Sequence, residues 1–114
     1  MGYGKYNVSP KEQRMFDGIL FDSKKEMHRY MELKDMWRRG TIKNLELQPT
    51  FLLLEGFRYQ GKKYRDTKYV ADFRYLEDEK VVVEDVKGMR TSLYKCKIKF
   101  FLDKYGDHVD FRET

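Results

Sequence analysis

The chain has one cysteine, Cys96, and only two prolines, Pro10 and Pro49. A single thiol excludes an internal disulfide and a thiolate zinc site, and it fits a reducing, intracellular setting. No apolar run approaches the ~20 residues needed to span a bilayer, and no apolar signal segment stands at the N-terminus. The expectation is therefore a soluble, cytoplasmic protein with no membrane partner. Met1-Gly2 would open a myristoylation signal, but Tyr6 stands where Ser or Thr is needed. Repeats and low-complexity segments are missing. Charge of one sign is also in short supply: 24 Lys and Arg face 19 acids, a net +5 that suits a polyanionic partner without requiring one.

What remains is enough for a core. Of 114 residues, 40% are hydrophobic and 16% aromatic, which excludes a disordered tail and fits one domain. Residues 1–15 are polar, with two glycines and a proline, and read as a flexible basic arm before a domain over 16–114. Phe16-Asp17-Gly18-Ile19 predicts a tight turn. Met27, Tyr30, Leu33 and Trp37 recur at helical spacing. Ser23 and Glu26 have capping-box spacing and Gly40 is a stop, so a helix is expected over about 23–39. Strands are expected over 45–48 and 50–54, around Pro49, then over Lys68–Leu76 and Lys80–Lys87 as a hairpin turning at Glu77-Asp78-Glu79. A second helix should run from Ser92 to Tyr105, burying Leu93, Cys96 and Phe100, with Ile98 and Phe101 as further candidates for the inner face, and His108–Phe111 should form a last edge strand. Trp37 reads as core. The order is α-β-β-β-β-α-β, a mixed four- to five-stranded sheet flanked by helices, of the α/β class.

Side chains alternate faces along a strand. In Lys68–Leu76, Tyr69, Ala71, Phe73 and Tyr75 should share a buried face, leaving Asp72 on the other side in mid-strand. In Lys80–Lys87, Asp85 and Lys87 share a face and Glu84 points away. If the hairpin register sets Asp72 near Asp85, two carboxylates converge beside an ammonium. Their repulsion calls for a cation, and hard oxygen ligands in an open site are what Mg²⁺ prefers.

These residues resemble a known family. Asp72, a hairpin, and then Asp85-Val86-Lys87 look like the D…(D/E)-x-K signature of the PD-(D/E)xK nucleases. The order of elements over about residues 16–106 is similar to phage junction-resolving endonucleases of the endonuclease I type and to the cutting subunit of a heteromeric transposase. It is more similar still to a family of small phage and prophage proteins assigned to that superfamily. Two departures stand out: Ala71 replaces the signature's proline, and the acid before x-Lys is Asp, shorter than the commoner Glu. The resemblance implies a restriction-endonuclease-like core in which Asp72 and Asp85, with the Val86 carbonyl, hold Mg²⁺ or Mn²⁺. It implies that Lys87 orients water and that Glu26, on the preceding helix, is a further catalytic or metal-binding acid. Gly88 would let a phosphate backbone come close. Gln48, Lys62, Lys63, Arg65, Arg90, Lys95 and Lys97 become the expected DNA-binding residues.

Plainer roles stand beside these. Asp72, Asp85 and Lys87 would also suit a solvated ion pair, Glu26 completes a capping box with Ser23, and any one lysine fits a solvated face. Cys96 on the apolar stripe of the second helix reads as core. The second helix opens Thr91-Ser92-Leu93-Tyr94 without the Gln-x-x-x-Tyr of exonuclease-like branches, so the resemblance points to an endonuclease. Small size favours structure-selective cutting or nicking of branched DNA, such as a Holliday junction, in phage recombination or processing within a bacterial host. Paired cuts imply a homodimer, and a larger phage recombination or replication machinery is a further partner. The rival reading is a catalytically silent DNA-binding or partner-binding module with the same fold.

Overall fold

The structure, a computed structural model describing residues 9–86 and 90–114, is a mixed α/β fold. It runs β1 (Met15–Phe16), β2 (Ile19–Leu20), α1 (Lys24–Arg38), β3 (Lys43–Leu47), β4 (Thr50–Leu54), β5 (Phe57–Tyr59), β6 (Lys62–Tyr64), β7 (Thr67–Val70), β8 (Phe73–Glu77), β9 (Lys80–Asp85), α2 (Ser92–Tyr105) and β10 (Asp110–Glu113). Asp17-Gly18, Gln60-Gly61 and Asp78-Glu79 all have positive φ. Two such residues in a two-residue loop form the type I′ turn, whose twist matches its flanking strands. They close the hairpins β1–β2, β5–β6 and β8–β9. Residues 9–15, counted with the arm in the sequence reading, include a 3-10 turn at Lys11–Arg14. Arg14 donates to the Ser9 carbonyl at 2.7 Å and to the Phe21 carbonyl at 2.6 Å, tying this stretch to the start of α1.

Both helices follow from their caps. Ser23 Oγ accepts the Glu26 N–H at 3.1 Å and Thr91 Oγ1 accepts the Tyr94 N–H at 3.0 Å. The faces they bury depart from expectation. On α1, Met27, Tyr30 and Leu33 are buried and Met36 continues the stripe, so Trp37 falls off it and is 45% exposed. On α2 the core face is Tyr94, Ile98, Phe101 and Tyr105, spaced four, three and four apart. Leu93, Cys96 and Phe100 lie on the exposed side instead. Of the residues expected on the inner face only Ile98 and Phe101 lie there, because α2 carries apolar side chains on both sides.

The four-stranded sheet has the order β10-β9-β8-β3, with β10 parallel to β9 and the other pairs antiparallel. Phe21, Met27, Tyr30, Leu33, Ile42, Phe73, Tyr75 and Val82 form one core cluster with α1. Phe51, Tyr69, Ala71, Val83, Tyr94 and Phe101 form the other, with α2. Adjacent Val82 and Val83 thus serve opposite faces, and the sheet lies between two helices. No helix among the described residues is long and apolar enough to cross a membrane.

Seven strands lie between the helices, against the four expected. One source is the β5–β6 hairpin. The other is a break where a continuous strand was expected: Lys68–Leu76 splits into β7 and β8 at Ala71-Asp72. Its partner splits at the same level, at Gln48-Pro49, into β3 and β4. Pro49 has no N–H to offer a ladder, and Gln48 has φ +52°. The ladder survives across the break, with Gln48 N–H on the Asp72 carbonyl at 3.0 Å and Ala71 N–H on the Pro49 carbonyl at 3.1 Å. The break also reverses parity. Tyr69 and Ala71 belong to the α2 cluster, whereas Phe73 and Tyr75 belong to the α1 cluster, so the shared aromatic face does not exist.

Candidate active site

Asp72 stands at that break, not in mid-strand. The β8–β9 register pairs Phe73 with Glu84, which sets Asp72 level with Asp85 one step further on. The Asp72 N–H donates to the Glu84 carbonyl at 3.2 Å and its Oδ2 accepts the Val86 N–H at 2.7 Å. Asp85 is wholly buried, which rules out the solvated ion pair on an open sheet face. Its Oδ2 accepts the hydroxyl of Tyr69.

Three acids act on one another here. Burial, then the charge and hydrogen bonding of Asp85 and the charge of Glu26, push the Asp72 carboxyl up to about 8, and the Val86 N–H offsets this only in part. Glu26 lies in the first turn of α1 and is 6% exposed. Its backbone N–H donates to the Ser23 cap, and its carboxylate is close enough for its charge to raise Asp72. Tyr94, in the first turn of α2, donates from its hydroxyl to Glu113 Oε2 at 2.6 Å, and Glu113 lies beside Asp85 in the β10–β9 register. Burial first, then these carboxylates, hold the phenols of Tyr69 and Tyr94 above the ordinary range. The opening turns of both helices therefore flank the acids, an arrangement that favours negative charge.

Glu84 has a different task, as its opposite parity predicted. Arg29 reaches its carboxylate at 2.5 and 3.1 Å, the Tyr75 hydroxyl at 2.6 Å and the Thr114 hydroxyl at 3.0 Å. Burial alone would raise Glu84, but these donors outweigh it and hold the carboxyl below its ordinary value. This is a satisfied structural ion pair.

The other expected residues divide by location. Lys87 and Gly88 lie outside the described residues. Val86 follows β9 and is half-buried, and Gln48 adjoins Asp72 through its backbone. Arg90 is exposed and pairs with Glu113 at 3.2 Å, which places it by the acids. Lys63, Arg65 and Lys97 line one groove with Arg58 and Lys68, two cations the sequence reading passed over. Lys62 sits on the same hairpin, with its ammonium 5.1 Å from the Tyr64 ring centre. Lys95 lies on the exposed side of α2. Tyr69, Tyr94 and Glu113 were also missed. Alternation along an unbroken strand turns Tyr69 away from Asp72, and only the break brings it round to Asp85. Glu113 reaches the site by parallel pairing, for which the sequence carries no register signal.

Among the described residues, no group of three or more His, Cys, Asp or Glu is drawn together as a ready metal cage. The donor chemistry nonetheless suits a hard divalent cation: Asp72 and Asp85 are carboxylates whose burial, and then whose mutual charge, disfavour the ionised Asp72 in the absence of a cation. The chain belongs to the family described as Protein of unknown function (DUF1064), whose family model matches residues 4–112. No curated protein and no solved structure matches the chain.

Proposed function

We propose that this chain is a Mg²⁺- or Mn²⁺-dependent endodeoxyribonuclease with a restriction-endonuclease-like core of the PD-(D/E)xK kind. The observation that carries this reading is the level pairing of Asp72 and Asp85 across β8 and β9, with Glu26 near enough to raise Asp72. A hairpin followed by a helix and a parallel strand is consistent with that core.

Asp72 and Asp85, with Glu26 and the Val86 carbonyl, would hold the cation. When bound, it supplies Lewis-acid activation of a phosphate and of the attacking water. The chain's own groups do the rest. The Val86 N–H fixes the Asp72 carboxylate and the Tyr69 hydroxyl fixes that of Asp85, so both enter the reaction pre-oriented. Lys87 offsets charge on the phosphate as water adds at phosphorus and one P–O ester bond breaks. The proposed substrate is branched or nicked DNA of the kind met in phage recombination. Paired cuts at a four-way junction need two sites, so a homodimer is the proposed working form.

The test is cleavage of labelled linear, nicked, flapped and four-way-junction DNA with Mg²⁺ or Mn²⁺. Asp72→Asn and Lys87→Ala should each lower the rate about a hundredfold or more while DNA binding persists. Folded wild-type protein that binds every substrate and cuts none would replace this reading with the silent binding module.

A further inference from the structure

The β5–β6 hairpin has no cover on either face: all six of its strand residues are exposed. Its register pairs Phe57 with Tyr64, Arg58 with Lys63 and Tyr59 with Lys62. Paired residues share a face and neighbours alternate, so Phe57, Tyr59, Lys62 and Tyr64 form one face and Arg58 with Lys63 the other. The ribbon carries its three aromatic rings, with Lys62, on one side and only cations on the other. The Phe57 and Tyr64 rings stack with centres 5.0 Å apart and planes 12° apart, and Tyr59, beside the turn, is 61% exposed.

An isolated two-stranded ribbon is marginal in water, so its root has to be held. Gly56 and Asp66 do this: the Gly56 N–H donates to Asp66 Oδ1 at 2.6 Å. A Cβ on Gly56 would stand 2.7 Å from the Tyr64 carbonyl oxygen, so only glycine permits this approach. At the root lies a groove of about 820 Å³ lined by Arg58, Lys63, Arg65, Lys68 and Lys97, against the acids Glu55 and Asp66. With five cations against two acids, the groove is net cationic.

We propose that this ribbon grips single-stranded DNA, with an unpaired base stacked on the aromatic face and the phosphates following the groove cations. The pairing of features selects the occupant. Cations alone would suit any duplex, whose bases are already stacked on one another, whereas flat exposed rings gain only from a base free to stack on them. The strand β7 leads from the ribbon root to Asp72, about 20 Å on at the rise of an extended chain. That is about six stacked nucleotides. The substrate class is therefore DNA with an unpaired arm, a flap or a frayed junction, held at a set distance from the acids. The choice of DNA rests on the nuclease reading above; the grip itself rests on the ribbon.

The test is fluorescence anisotropy in EDTA, so that no cleavage enters. The probes are a labelled DNA strand of about 20 nucleotides, its blunt duplex, a fork with the same strand unpaired, and the matching RNA strand. Single strand and fork should bind about tenfold more tightly than the blunt duplex. Tyr59→Ala should weaken them about tenfold and leave the duplex unchanged, while Tyr59→Trp should retain the grip. Arg58→Ala should weaken every probe and reduce the salt dependence. Tyr59 is exposed, so its variants should melt with the wild type. Equal binding of strand and duplex, or an unaltered Tyr59→Ala, would overturn the proposal, and a preference for the RNA strand would overturn the choice of DNA. Strand-selective binding without cutting of any substrate would remove the nuclease reading alone.

Discussion

Asp72 and Glu84 are carboxyls one step apart across the same hairpin, and their environments push them in opposite directions. A carboxyl raised in the folded state stabilises the fold only while protonated, so Asp72 withdraws stability as pH rises from near 4 to about 8. Asp72→Asn keeps an oxygen for the Val86 N–H and offers a donor to Asp85. In EDTA at pH 8 to 9 it should be more stable than wild type by roughly 2 kcal/mol, a gap that closes near pH 4 in urea titrations. Mg²⁺ should raise the melting temperature of wild type at pH 8 and not that of Asp72→Asn. Glu84 is held low, so its contribution is present at neutral pH and lost as pH falls through that depressed value. Arg29→Ala, which strands a buried charge, should cost about 3 kcal/mol at pH 7 in the same titrations. The approach of Asp72 to Asp85 was legible from the hairpin and its turn at Asp78-Glu79, not from parity, which the break at Ala71-Asp72 reverses, and Glu26 stood out through the resemblance and its cap spacing. Tyr69 and Glu113 were not, since a reversed face and a parallel neighbour are settled by distant segments.

At the scale of elements, local signals set both helices and the turns at Asp17-Gly18 and Asp78-Glu79 within a residue or two. Ser23 and Gly40 framed α1, and Thr91 and Gly106 framed α2. The missed feature was the joint break at Gln48-Pro49 and Ala71-Asp72. An alternating stretch reads as one strand unless its partner's proline is known to lie opposite. The turn at Asp78-Glu79 carries two positive φ values without a glycine, and Glu79 at +65° has the less tolerant side chain. Glu79→Gly should stabilise the protein by roughly 1 kcal/mol, seen as a rise of a few degrees in thermal melting. An unchanged melting temperature would mean that the turn is not strained.

Over the whole molecule, the two core clusters and the ribbon should behave as separate parts. None of the strand residues in β5 or β6 is buried, so replacing residues 57–64 with a short glycine-serine link should leave cooperative melting nearly unchanged. Loss of the cooperative transition would show that the ribbon supports the core. The ribbon was legible as basic residues but not as a hairpin, because Gln60-Gly61 is a weaker turn signal than Asn-Gly or Asp-Gly. Cys96 is the chain's sole thiol and faces solvent. Air oxidation can therefore join two chains covalently, and a dimer band would then report storage history. Sedimentation with and without reductant separates the two cases, and a dimer that persists in reductant is the one the proposed junction cutting requires. The same thiol accepts a single maleimide dye beside Lys97, giving a test of the proposed oligonucleotide grip with no residue changed.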